Sequence, residues 1–128
     1  MPLTRISLRR GKPHEHLAGL ADGVYDALRE VFDVPEGDRF AVIHQHDPQG
    51  FVYDLHYLGV PRSDDLVIIE ITCNDTRTTK QKQALYRAVA ENLSRRPGLR
   101  PEDVMIVLVE VKAENWSFGR GEAQYVKS

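Results

Sequence analysis

Residues 66–71 read LVIIEI, and residues 103–112 read DVMIVLVEVK. The first is a nearly continuous apolar run, as expected of a strand covered on both faces, and the second reads as another strand. Between them Leu85, Ala88, Val89 and Leu93 fall at helical spacing, which sets a helix over residues 79–95. Thr78, followed three residues later by Gln81, has the pattern of a capping box at that helix's start. Strand, helix and strand in this order make a βαβ unit.

Reading outward toward the N-terminus, the same order recurs. Residues 2–8 alternate weakly through Leu3, Ile6 and Leu8 and suit a short strand. Pro2 can open it, because a first residue need not donate a ladder hydrogen bond. Gly11-Lys12-Pro13 makes a turn, with Pro13 suited to a helix's first turn. Leu17, Leu20, Ala21, Val24, Leu28, Val31 and Phe32 then mark an amphipathic helix over residues 13–32. Residues 33–38 end it, residues 39–46 (RFAVIHQH) form the next strand, and Asp47-Pro48-Gln49-Gly50 closes that strand with turn chemistry.

The two halves, about residues 2–64 and 65–128, superpose in order at an offset of roughly 64 residues. Two tandem βαβ units with right-handed crossovers predict an α+β domain with a four-stranded mixed sheet and both helices on one face, plus short extra strands or turns. The other face then needs a cover, since Val104–Val109 is apolar at both parities. Partner subunits are the simplest cover; the alternative is that residues 51–60 and the C-terminal segment fold back over the sheet.

Composition sets the outer bounds. A chain of 128 residues makes one domain and can bury a core without staples. Seventeen basic and nineteen acidic residues give a formal charge of −2, which provides no bulk attraction to nucleic acid. The single cysteine, Cys73, excludes an internal disulfide framework and suits a reducing cytoplasm. No apolar stretch approaches the ~20 residues of a membrane span, and no signal-peptide pattern opens the chain, so no membrane partner is expected.

A few residues can carry chemistry. Removal of Met1 would leave Pro2 with a free secondary amine, able to act as a general base or, when protonated, as an acid. Arg77 lies just before a helix N-terminus, where anions are already favoured and a carboxylate can be held bidentately; it can equally pair with Asp75. Asp38 can orient water or accept a proton, or serve as a turn residue beside Arg39. Trp116 and Phe118, with Tyr125 nearby, form either an apolar wall for a small substrate or part of a subunit interface. His44 and His46 share a strand face without a third ligand cluster, so no metal site is expected. No Ser-His-Asp set or phosphate-binding loop is evident.

In combination, the Met-Pro start, the duplicated βαβ and an Arg at the start of the second helix resemble the tautomerase superfamily. VPEGDRF around Asp38, AENL at residues 90–93, PEDV at residues 101–104 and NWSFGRGEAQY near the end resemble its malonate semialdehyde decarboxylase group. The resemblance implies the β-α-β tautomerase fold, a homotrimer, and a cofactor-independent decarboxylase, tautomerase or hydratase acting on a small carboxylate-bearing oxo acid or enol. It implies Pro2 as the catalytic amine, Asp38 as its assistant, Arg77 as the carboxylate's anchor, and Trp116, Phe118 and Tyr125 as the hydrophobic wall. The chain departs from the group at Cys73-Asn74-Asp75-Thr76-Arg77, where Asp75 stands about where the first of two arginines is expected. A non-catalytic oligomeric binding protein on the same fold is the rival expectation.

Overall fold

The structure, a computed structural model, describes residues 1–127. Its main elements in chain order are β1 (Leu3–Arg9), α1 (His14–Phe32), β2 (Ala41–His46), β3 (Val67–Asn74), α2 (Thr79–Arg95) and β4 (Val104–Val111). They form one sheet in the order β2-β1-β3-β4. Within each half the strands are parallel, β1 with β2 and β3 with β4, while β1 and β3 join the halves antiparallel. The expected four-stranded mixed sheet is therefore present.

Register explains the core. Ile6 pairs with Ile43 on one side and Ile69 on the other, and Ile69 pairs with Ile106, so four isoleucines run in a line across all four strands. Ile6 and Ile69 are fully buried, as are Leu20 and Val24 of α1 and Leu85, Val89 and Leu93 of α2. Alternation along each strand sends these side chains to the face that the two helices cover. The helices approach closely because of Gly23: a Cβ there would stand 2.7 Å from Leu93 Cδ2. The Asn92 Nδ2 amide donates to the Gly23 carbonyl at 3.0 Å, which ties the crossing.

Strand boundaries shift modestly from those read in the sequence. Pro13 is the N-cap of α1 rather than a member of its first turn, and β3 runs on through Cys73 and Asn74. The reading of β3 as covered on both faces gives way to strict alternation: Val67, Ile69, Ile71 and Cys73 are buried, while Ile68, Glu70, Thr72 and Asn74 are only partly so. Thr78 and Gln81 do form a reciprocal capping box, with the Gln81 N–H donating to Thr78 Oγ1 at 3.2 Å.

The sheet's other face is partly flanked by the segment connecting β2 to β3. Phe51 stacks on His46 with centroids 5.6 Å apart. Val52, Tyr53, Tyr57 and Leu58 share a cavity of about 430 Å³ with Ile68 and Met105. Val42, Met105, Val107 and Val109 nevertheless remain 39–44% exposed. No helix among the described residues is long and apolar enough to cross a membrane.

The linker between the halves is pinned by a buried carboxylate. Asp103, 1% exposed, accepts the Ser63 N–H at 2.6 Å, the Ser63 hydroxyl at 2.7 Å and Arg100 Nε at 3.1 Å. Arg100 Nη2 also donates to the Pro61 carbonyl at 2.9 Å, so the linker is held against the start of β4. Burial alone would raise the Asp103 pKa, but the Arg100 and Ser63 hydrogen bonds prevail and hold it below the usual carboxylate value. Its stabilisation is thus present above the unfolded-state pKa and is lost as pH falls through the lower folded-state value. Asp103→Ala is expected to cost about 2–3 kcal/mol in urea unfolding at neutral pH, and the difference from the unaltered protein should shrink in acid.

Candidate active site

Antiparallel pairing of β1 with β3 places the start of the chain beside the end of β3. Leu3 pairs with Thr72 at the end of the ladder, so Pro2 and Met1 run on beyond it at the Cys73–Asn74 end of β3. On the other side of β1, the Thr4 N–H donates to the Phe40 carbonyl at 3.0 Å. That bond brings the turn after α1, and with it Asp38, to the same end of the sheet. The capping box of α2 holds the segment carrying Arg77 nearby. Four separate stretches of chain therefore converge, the fourth being the C-terminal segment beyond β4.

The geometry at their meeting point is specific. The terminal amine, carried by Met1, lies 3.9 Å from Asp38 Oδ2. Pro2 itself is buried. Asp38 Oδ1 is also buried and accepts no hydrogen bond from any described residue. Arg77 Nη2 donates to the Phe32 carbonyl at 2.9 Å, and its guanidinium lies 4.6 Å from the centroid of the Phe32 ring. The hydrogen bond and the cation–π contact together restrain the guanidinium. Trp116 stacks on Phe118 at 5.6 Å between centroids, and Phe118 meets Tyr125 edge-on at 4.9 Å. The indole N–H donates to Asn74 Oδ1 at 2.8 Å. A cavity of about 220 Å³ is lined by Met1, Leu3, Phe40, Trp116, Ser117 and Phe118.

Burial tunes the titratable groups. It lowers the terminal amine's pKa; Asp38 opposes that effect and the positive charge of Arg77 adds to it. Burial raises the Asp38 carboxyl, against a downward pull from the amine. The Tyr125 phenol is raised by burial and then by Asp38, with Arg77 acting in the opposite sense. Burial likewise pushes the Cys73 thiol up, which disfavours its nucleophilic thiolate. An amine and a carboxylate drawn toward each other's titration range can exchange a proton with a substrate, while a nearby fixed cation holds an anionic group.

Pro2, Asp38, Arg77, Trp116, Phe118 and Tyr125 are thus gathered around one end of the sheet. Arg77 does not pair with Asp75, which is exposed and whose N–H donates to the Val111 carbonyl at 3.1 Å. Three contributors escaped the sequence reading. Phe40 and Leu3 line the cavity, and Asn74 seats Trp116. Asn74 was recoverable from strand alternation had β3 been carried past Ile71; Phe40 carried no local signal separating it from an ordinary strand residue.

A family of proteins described as tautomerase enzymes matches residues 38–119, and a second family with the same description matches residues 2–61. The probable tautomerase YusQ of Bacillus subtilis (strain 168) is 42% identical over 127 residues, spanning 99% of this chain and 100% of that protein. A crystallised malonate semialdehyde decarboxylase, described with decarboxylase and hydratase activities, is similar with a TM-score of 0.90 and 32% identity, over 96% of this chain and 95% of that one. A fused 4-OT solved as a symmetric trimer shares the fold, with a TM-score of 0.77 at 17% identity over 94% of each chain.

Trp116 is the chain's only tryptophan, so its seat can be read optically. Asn74→Ala removes the indole's acceptor and is expected to shift the emission maximum to the red by several nanometres, with the far-ultraviolet circular dichroism unchanged.

Proposed function

The chain belongs to the tautomerase family, whose members are enzymes, and from that we propose that it is a cofactor-independent enzyme of small oxo acids in which Pro2, freed by loss of Met1, is the acid or base. The observation that carries this reading is the partly buried terminal amine, here on Met1, 3.9 Å from Asp38 Oδ2. Loss of Met1 moves the amine one residue inward, to a position that is already buried. Burial there disfavours the charged form, as it does at Met1.

Arg77 holds the substrate's carboxylate through the guanidinium hydrogens not engaged by Phe32. Trp116, Phe118 and Tyr125, with Phe40 and Leu3, exclude water from the remainder of the substrate. In tautomerisation, neutral Pro2 takes the proton from the enol oxygen and returns it to carbon. Asp38 stabilises the prolinium formed between those steps. The lowered proton affinity of the terminal amine favours this reaction, since it favours a neutral base.

Decarboxylation uses the same parts and is favoured by the likeness to malonate semialdehyde decarboxylase. There protonated Pro2 polarises the 3-carbonyl while Arg77 grips the carboxylate. The bond to the carboxyl carbon breaks, its electron pair enters an enolate stabilised by the cationic amine, and CO₂ departs. In hydration, Asp38 activates water while Pro2 donates the proton.

The exposed Met105, Val107 and Val109 of β4, with Val42 on the opposite edge strand, support assembly as a homotrimer in which neighbours cover the open sheet face. The single cysteine is in keeping with a cytoplasmic setting.

Intact mass should show Met1 absent. With phenylenolpyruvate and malonate semialdehyde as probes, Pro2→Ala is expected to lower kcat about 10²-fold or more, and Arg77→Ala to raise KM with a loss of about 10²-fold in kcat/KM. If neutral Pro2 is the base, kcat/KM should rise with pH through a value below that of a free α-amine; if the prolinium is the working form, it should fall there. Unchanged turnover in Pro2→Ala overturns the role of Pro2, and no turnover of either probe by the unaltered, Met1-processed protein overturns the enzymatic reading in favour of a binding protein. Val107→Asp is expected to convert the trimer to monomers in native mass spectrometry.

A further inference from the structure

The proposed chemistry needs Asp38 held against the amine, yet Asp38 sits in a surface turn, and its own side chain accepts no hydrogen bond at Oδ1. Both residues flanking it are instead gripped by one side chain of α1. The Gly37 N–H donates to Tyr25 Oη at 3.0 Å. The Arg39 guanidinium lies 4.8 Å from the centroid of the same tyrosine ring. Arg39 also pairs with Asp22, one helical turn before Tyr25. Asp22 in turn accepts Arg96 Nη1, just past the end of α2, at 2.9 Å.

Gly37 has φ +89°, a conformation that other residues enter at a cost, so its N–H is presented to Tyr25 by a turn that glycine makes possible. Within the turn, the Asp38 N–H donates to the Pro35 carbonyl at 3.1 Å and the Arg39 N–H to the Gly37 carbonyl at 2.9 Å. Asp38 is therefore the middle of three residues whose neighbours are both fixed to the rigid helix. We propose that Tyr25, together with Arg39 and Asp22, is a positioning device that sets Asp38 against the catalytic amine without touching substrate.

The inference rests on the reading of Asp38 as the amine's assistant. The hydroxyl of Tyr25 holds Gly37 and its ring holds Arg39, so loosening either contact frees one of the two neighbours that set the position of Asp38. A misplacement of this kind lowers turnover more than binding, because the carboxylate of the substrate is held elsewhere, by Arg77.

The test is a double-mutant cycle between Tyr25→Phe and Asp38→Asn on the Met1-processed protein, with phenylenolpyruvate ketonisation as the readout. Tyr25→Phe deletes one oxygen and keeps the ring beneath Arg39. It is expected to lower kcat about 10-fold, with KM within twofold and the melting temperature nearly unchanged. In the Asp38→Asn background the same change should have no further effect. Arg39→Lys, which keeps the charge facing Asp22 but loses the planar stack, should give the same pattern more weakly. A full effect of Tyr25→Phe in the Asp38→Asn background, or none in the unaltered protein, overturns the positioning role. If Asp38→Asn itself leaves kcat unchanged, the assignment of Asp38 fails, and the positioning role falls with it.

Discussion

The antiparallel joint between β1 and β3 is the contact on which both core and site depend. Each βαβ half pairs its own strands in parallel and leaves its first strand, β1 or β3, with an edge that the other half can pair. Joining β1 to β3 satisfies both edges at once and lines up Ile43, Ile6, Ile69 and Ile106 beneath the helices. The same pairing runs the start of β1 against the end of β3. An N-terminal amine is thereby brought beside the loop leading into α2, where Arg77 stands. Slipping this register by one residue would turn the buried isoleucines outward and move the amine from its partners.

Electrostatics at the site are local. A chain of formal charge −2 has no general field to draw in a carboxylate. The working charges are Arg77, the terminal amine and Asp38, and burial lowers the proton affinity of the amine and raises that of Asp38. Asp75, the residue most able to spoil anion binding by its place in the sequence, is exposed and bound to β4 only through its backbone N–H. Arg77 is instead aligned by the Phe32 carbonyl and ring, at the end of the other helix. The two halves are therefore coupled through the site as well as through the core.

Periodicity made the elements legible. The apolar spacing of Leu85, Ala88, Val89 and Leu93 and the Thr78–Gln81 pattern located α2 with its observed bounds. Matching order in the two halves predicted the sheet, because two βαβ units of this length have few ways to share one. The Asp38 and Arg77 candidates were visible through their positions beside helix ends and through family resemblance. Asn74 and Phe40 were not, because their roles come from strand pairing rather than from neighbours in the chain. Nothing local marked Tyr25 either; it reads as one more residue on a helix whose apolar stripe was already accounted for.

The sequence by itself determined two βαβ units, one apolar face for each helix, and a short list of groups able to move protons or hold an anion. These follow from short-range patterns, since helix and strand periods and capping chemistry act over a few residues. Only the tertiary structure decided that Pro2, Asp38, Arg77 and Trp116 share one end of the sheet, that Arg77 turns from Asp75 to Phe32, and that the terminal amine and the Asp38 carboxylate are brought together, both partly desolvated. Those are outcomes of long-range pairing and desolvation. A proton affinity depends on what surrounds a group in space, which the order of residues along the chain does not specify.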